Sequence, residues 1–410
     1  MAHMLPESID LEMLGIRLHT GDVAASTEMN LANAFGFAVA LIGLAGHLSF
    51  TKLGHSKVSK SVLAVMVSLL MAGLPFAVLA AAPVRSRLTG FVLSYHAVLG
   101  FFRWVEFVLG RGPKGSAASS LTFAAYLCSP AEILFEEGKM KRLSSRTAAC
   151  KGLAIRAVWH SSLFLAINSI GRATGMLPFL PGKQHPSSLP FYGLPRSLPA
   201  LYLQTWLVYS MMELFMLVYR MPVALLGVET GVVFKAPLLL STSLREFWGR
   251  RWNLLIHNLL KRSFFGPLRG GPAWQQHLGG FLAFVMSGLF HEYMWLVLAA
   301  STRDSRYVFG KVLSFFLLQF VATAGQAILS SGVLGRAAKA VPGPVLTFLV
   351  TLAVLPASPL FLEGVHGMLC EINVIMPAVE IQDGGVGLRS ATLCLVAASP
   401  VAFLTRTFTR

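Results

Sequence analysis

The sequence predicts an all-α fold, a polytopic bundle of about eight to ten transmembrane helices around a buried chamber. Three observations carry that prediction. Of 410 residues 55% are hydrophobic and only 13% charged. Apolar runs of roughly 18 residues or more recur along the chain, long enough to cross a bilayer as helices. Lys and Arg gather in the intervals between those runs, as they do in cytosolic loops. Length alone would argue for two or three soluble domains, and the composition overrides it.

The runs lie near 31–50, 61–82, 88–109, 152–170, 198–219, 223–241, 278–299, 309–330 and 344–362, with a weak tenth at 391–404. The 223–241 run holds Glu229, Lys235 and Pro237, so it is expected as a broken or re-entrant element buried in protein. With that run not spanning and 391–404 as the last span, the basic intervals at 51–60, 110–151 and 220–277 fall on one side. The positive-inside rule makes that side cytosolic and the N-terminus lumenal. Residues 1–30 form an acidic tail, with Glu7, Asp10, Glu12, Asp22 and Glu28 against Arg17. It lacks the basic start of a cleavable signal peptide. Ile9, Leu11, Met13, Leu14 and Leu18 line one side of a short interfacial helix there, or of a loosely ordered tail. Residues 31–404 make one transmembrane domain, with its motif region at 234–297, and 405–410 return to the cytosol.

Between the runs, 110–151 reads as a cytosolic loop with an interfacial helix, and the Pro- and Gly-rich 171–197 as an irregular lumenal loop. In 253–265, Leu254, Leu255, Ile256, Leu259, Leu260 and Phe264 oppose Asn253, His257, Asn258, Lys261 and Arg262, an amphipathic helix. The net charge of +16 follows from the basic loops, which also meet anionic lipid. No basic, aromatic-interleaved module stands apart to bind nucleic acid. Cys128, Cys150, Cys370 and Cys394 show no metal-ligand spacing. No internal repeat is evident, which disfavours transporters built on duplicated halves.

The densest polar cluster is Ser243-Leu244-Arg245-Glu246-Phe247-Trp248-Gly249-Arg250-Arg251-Trp252-Asn253. Arg245, Arg250 and Arg251 suit phosphate binding and equally suit juxtamembrane anchoring. Trp248 and Trp252, four apart, share a helix face and serve as interfacial anchors or packing. Asn253 can cap the helix that follows or donate to a developing oxyanion without adding charge. The second stretch, Phe284-Val285-Met286-Ser287-Gly288-Leu289-Phe290-His291-Glu292, puts His291 near mid-bilayer. Gly280, Phe284, Ser287, Gly288, His291 and Trp295 share its face, and the small residues leave room. Ionisable groups in hydrocarbon are costly and usually functional. An imidazole, with a pKa of about 6.5, suits proton removal at neutral pH. Ser287, Glu292 and Trp252 are its expected supports.

Elsewhere, Arg103 and Glu106 are expected to pair, Glu213 has no sequence-local partner, and Arg156 and His160 are expected to snorkel. Glu363 and His366 are expected to face water. A zincin HExxH, di-iron histidine boxes, a Walker-type phosphate loop and a GxSxG elbow are all missing, so metal hydrolysis, ATP-driven transport and serine hydrolysis are set aside.

The two stretches together, with Phe234-Lys235-Ala236-Pro237 before them, resemble the wax synthase branch of the membrane-bound O-acyltransferase superfamily. The diacylglycerol and sterol acyltransferases carry an FYxDWWN-like first motif instead of Phe247-Trp248-Gly249-Arg250-Arg251-Trp252-Asn253. The resemblance implies transfer of a fatty acyl group from acyl-CoA, a co-substrate with no other cofactor, to a long-chain alcohol. It implies a multi-pass protein of the endoplasmic reticulum, with His291 and Asn253 in the catalytic roles and Arg245, Arg250, Arg251 and Trp248 at the acyl-CoA. Acetyl or acyl transfer to a sterol, terpenoid or diacylglycerol is the alternative, and a proton-coupled lipid transporter the alternative from another class. Oligomeric state is not legible.

Overall fold

A computed structural model describes residues 8–11, 16–19, 23–52, 57–81, 84, 86–174, 198–302, 307–330, 340–362, 378–382 and 385–389. The 391–404 run, the 405–410 tail, Glu363, His366, Cys370, Cys394 and most of the 171–197 interval lie outside them.

Eight described stretches are long and apolar enough to cross a membrane, and with them the chain is the all-α membrane bundle its composition implies. They sit in α1 (Val23–Lys52), α2 (Lys57–Ala81), α3 (Arg87–Val108), α5 (Arg146–Thr174), α6 (Leu198–Leu225), α10 (Ala273–Thr302) and α11 (Lys311–Ser330). The eighth is Gly343–Leu362, which begins as α12 (Gly343–Val354) and runs on through a 3-10 turn at Leu355–Ala357. Short helices fill the intervals: α4 (Ser120–Cys128), α7 (Pro237–Leu240), α8 (Leu244–Glu246) and α9 (Leu254–Leu260).

Three small antiparallel ribbons complete the described elements: β1 (Ser8–Leu11) with β2 (Ile16–His19), β3 (Phe135–Glu136) with β4 (Lys139–Met140), and β5 (Ala378–Gln382) with β6 (Gly385–Arg389). The first replaces the interfacial helix expected in the N-terminal tail. Its register sets Ile9 opposite Leu18, Leu11 opposite Ile16, and Asp10 opposite Arg17. Apolar residues at alternate positions satisfy a strand as readily as a short helix face.

The 223–241 run does not span. After α6 it turns at Gly227 (φ +76°) and runs extended, bridging Ile133 to Thr230 and Arg142 to Val228. Lys141 meets Glu229 at 3.4 Å. Further on, the strap lies against the polar cluster: Lys235 N–H donates to the Arg251 carbonyl (3.0 Å), and Leu254 N–H to the Val233 carbonyl (2.7 Å).

Most of α3 is buried, and its charges behave differently from the expected pair. Arg103 turns to the end of α4, donating to the carbonyls of Tyr126 (2.7 Å), Ser129 and Ala131 (3.2 Å). Those carbonyls have no helical partner of their own, and a guanidinium supplies five donors to meet them. Glu106, fully buried, accepts instead from the Tyr126 hydroxyl (2.7 Å) and from Arg262 (2.8 Å), which also reaches Glu132 at 3.1 Å. Arg156 and His160 both find neighbours on α6. Arg156 pairs with the buried Glu213 of α6, supplying the partner its sequence neighbourhood lacks, and His160 packs edge-on against Tyr209 at 5.2 Å.

Candidate active site

The polar cluster folds as a tight, irregular turn. Ser243 caps α8, its hydroxyl accepting from Glu246 N–H at 3.1 Å. Phe247–Arg251 form a π-helical turn, closed by Trp252 N–H to the Phe247 carbonyl at 2.9 Å. The wider turn carries an extra residue, a device common at functional sites. Asn253 follows in the left-handed region (φ 40°, ψ 63°) and caps α9, accepting from Ile256 N–H at 3.5 Å. Among side chains other than glycine, asparagine tolerates this backbone best.

Of the two roles expected for Trp248 and Trp252, packing is the one their surroundings display. Trp252 stacks on Phe247 (5.2 Å, 17°) and meets Phe234 of the strap edge-on at 5.3 Å. Trp248 packs against Phe284 and Phe316 and donates from Nε1 to Gln319 Oε1 at 3.3 Å.

A cavity of about 570 Å³ opens between this turn and the spanning helices. From α10, Gln276, Gly280, Ala283, Phe284, Ser287 and His291 line it in steps of three or four. That stripe runs about 22 Å at 1.5 Å per residue. Arg245, Arg250, Lys261 and Arg269 add cations to the lining, while Phe316 and Phe361 stand against the His291 ring. Asn253, Trp248 and Trp252 line the same cavity. The structure therefore brings His291, Asn253, Ser287, Arg245, Arg250 and both tryptophans to one chamber.

His291 Nδ1 lies 2.7 Å from the Ser287 carbonyl. A carbonyl only accepts, so Nδ1 carries the proton and Nε2 keeps its lone pair, with no hydrogen-bond partner among the described residues. The ring stacks on Phe316 at 4.8 Å (28°) and meets Phe361 at 5.2 Å. A neutral imidazole fixed in this tautomer is a proton acceptor at one atom.

Two expected site residues turn elsewhere. Arg251 is spent on Glu246 (2.8 and 2.5 Å) and the Lys235 carbonyl (3.1 Å), and it does not line the cavity. Burial pulls the Glu246 carboxyl up, but its bonds from Thr242 and Arg251 outweigh that and hold it below the usual carboxylate range. Glu292, fully buried, points away from the histidine. Its Oε1 accepts from Gly310 N–H (2.9 Å) and Leu313 N–H (2.8 Å), and its Oε2 from the Tyr307 hydroxyl. No group of three or more metal-ligating side chains occurs among the described residues.

The structure adds lining residues that the sequence had assigned elsewhere. His257 and Lys261, one turn apart, look from α9 and the turn after it into the cavity; in the sequence they form the polar face of an amphipathic helix. Burial, with Lys261 beside it, pushes the His257 imidazole down to about 4. Phe316 and Phe361 carry no signal in sequence, being two aromatics among many in apolar runs.

Residues 232–318, which contain the strap, the cluster, α9, α10 and the first turns of α11, match the profile of the Membrane bound O-acyl transferase family. Over 259 residues the chain is 27% identical to a protein of Arabidopsis thaliana named Acyl-CoA–sterol O-acyltransferase 1, covering 61% of this chain and 68% of that relative. Over 285 residues it is 27% identical to Probable long-chain-alcohol O-fatty-acyltransferase 8 of the same plant, covering 68% of this chain and 73% of the relative. A shorter stretch of 119 residues is 34% identical to the Long-chain-alcohol O-fatty-acyltransferase of Simmondsia chinensis, covering 28% of this chain and 32% of the relative.

Proposed function

We propose that this protein is a membrane-embedded O-acyltransferase that forms wax esters, moving a fatty acyl group from acyl-CoA to the hydroxyl of a long-chain alcohol. The observation that carries the reading is the His291 tautomer: Nδ1–H is held by the Ser287 carbonyl, and Nε2 is left as a base in a chamber whose lining includes Arg245, Arg250, Lys261 and Arg269. The phosphates of the donor sit at Arg245, Arg250, Lys261 and Arg269, and the pantetheine arm follows the α10 stripe to the histidine.

The alcohol oxygen attacks the thioester carbonyl while Nε2 takes its proton. The tetrahedral oxyanion that forms is met by the Asn253 carboxamide, whose Oδ1 is occupied by Ile256 N–H and whose Nδ2 remains to donate. The carbon–sulfur bond then breaks, and the imidazolium returns its proton to the departing CoA thiolate. No covalent acyl-enzyme is needed, and neither described free cysteine, Cys128 or Cys150, lines the chamber. The reading carries with it a multi-pass place in the endoplasmic reticulum membrane, with those cations on the cytosolic side.

A sterol acceptor is the second reading, favoured by the 27% identity to the Arabidopsis sterol acyltransferase over 68% of its length. One experiment tests both. Purified protein in lipid nanodiscs is given acyl-CoA with a fatty alcohol, a sterol or diacylglycerol, and the esters are identified by mass spectrometry. Fatty-alcohol esters that vanish in His291→Ala support the first reading, and steryl esters alone support the second. No ester above the protein-free background with any acceptor overturns acyl transfer.

A further inference from the structure

Two pairs of residues four apart interleave in the middle of α10. Ser287 and His291 face the cavity, while Gly288 and Glu292 face α11. The amides that Glu292 meets, those of Gly310 and Leu313, flank the start of α11 at Lys311, where a helix leaves its first N–H groups without partners. Gly310 has no side chain to cap them and lies at φ +99°. The cap comes instead from the neighbouring helix, and its negative charge meets the favourable end of the helix dipole.

Gly288 allows the approach. A Cβ there would stand 2.6 Å from Leu313 Cδ1 and 3.0 Å from its Cα, so any side chain would push the capped turn away. Two and three residues after Leu313 come Phe315 and Phe316, and Phe316 is the ring stacked on His291. Two turns along, Gln319 holds the Trp248 indole and donates to the Val354 carbonyl at 3.4 Å. The aromatic wall of the chamber thus hangs from a helix whose position is set at Gly288 and Glu292.

We propose that Glu292 is a positioning residue. It fixes α11 against α10, and through α11 the rings around His291, by accepting hydrogen bonds at that helix's N-terminus rather than by acting on the imidazole. Only the kinetic arm of its test rests on the acyl-transfer reading.

The test uses the full chain in nanodiscs and the variants Glu292→Ala, Glu292→Gln, Gly288→Val and Tyr307→Phe. Hydrogen exchange is followed in peptides covering 307–318, and ester formation is measured alongside. Loss of charge-assisted bonds is worth about tenfold or more in local opening, so Glu292→Ala should speed exchange there by about that factor and lower kcat by a similar one. Glu292→Gln keeps an acceptor and should restore both measures most of the way to wild type. Gly288→Val should reproduce the alanine phenotype with the carboxylate intact. Tyr307→Phe, the mildest change, should speed exchange slightly and serves if the alanine variant does not fold. Exchange at 307–318 unchanged in both Glu292→Ala and Tyr307→Phe would overturn the proposal. So would a Glu292→Gln variant that is inactive while its exchange stays at the wild-type rate. If no variant, wild type included, forms ester, the exchange arm still decides this proposal, and the functional reading alone has failed.

Discussion

His291 and Glu292 are neighbours in sequence and face opposite ways. The imidazole Nδ1 donates to the Ser287 carbonyl of its own helix at 2.7 Å, while the carboxylate accepts the Leu313 amide of the next helix at 2.8 Å. The histidine is left with one basic atom and the carboxylate with none to spare. The division separates proton chemistry from scaffold, and several expectations rest on it.

Replacing His291 with Ala should lower kcat by about 10²–10⁴-fold, the usual worth of a general base, with acyl-CoA binding retained. Ester formation and donor binding, measured on the same folded preparation, check this. Wild-type turnover in that variant would remove His291 from the mechanism.

At Asn253 the observed cap and the proposed oxyanion donor share one side chain, and glycine separates them. Gly accepts the left-handed backbone and costs only a few tenths of a kcal/mol as a cap, but it offers no donor. Asn253→Gly should therefore keep the thermal midpoint and lose about 10²–10³-fold in kcat. A variant that melts early and turns over normally would leave Asn253 as a cap alone.

The arginines of the cluster should divide the same way. Arg250→Ala and Lys261→Ala remove cations from the cavity lining and should raise the KM for acyl-CoA, with less effect as salt rises. Arg251→Ala breaks the hold on Glu246 and the Lys235 carbonyl; it should lower the thermal midpoint and leave that KM near wild type.

Arg262 spans the buried carboxylates of Glu106 and Glu132. Truncating it to Ala leaves charge without a partner in the core, which typically costs about 3–5 kcal/mol. Adding Glu106→Gln should recover part of the loss in a thermal or chemical melt.

His257 provides a pH test. Its folded-state value is pushed down to about 4, below the ordinary imidazole value of about 6.5, so the unfolded chain binds the extra proton first. Its contribution to stability is complete above about 6.5 and is lost as pH falls towards 4. Thermal midpoints taken across that window should fall less steeply in His257→Gln than in wild type.

The bundle was legible because length and apolarity alone define a spanning helix, and Glu229, Lys235 and Pro237 marked the one run among the described residues that does not span. The chamber was half legible. His291 and Asn253 stand out as polar groups in an oily chain, whereas Phe316 and Phe361 are ordinary members of apolar runs until folding sets them against the imidazole. Partners distant in sequence were illegible for a different reason. Arg103 had Glu106 within one turn, yet the unpaired carbonyls at the end of α4 take all of its described hydrogen bonds, and Arg262, far along the chain, takes the glutamate. Nothing local to Glu292 says that it would be used up holding the backbone of the next helix in place.

On the acyl-transfer reading, the α10 stripe would make the chamber a depth gauge. A donor gripped by its phosphates at the cations of the lining would be measured from its head, so its thioester would arrive at the same level beside His291 whatever tail it carries. Tail length would then be sensed only past the histidine, among rings such as Phe316 and Phe361. Substitutions at those cations should tune how tightly donors bind without reordering them by length, and substitutions among those rings should do the reverse.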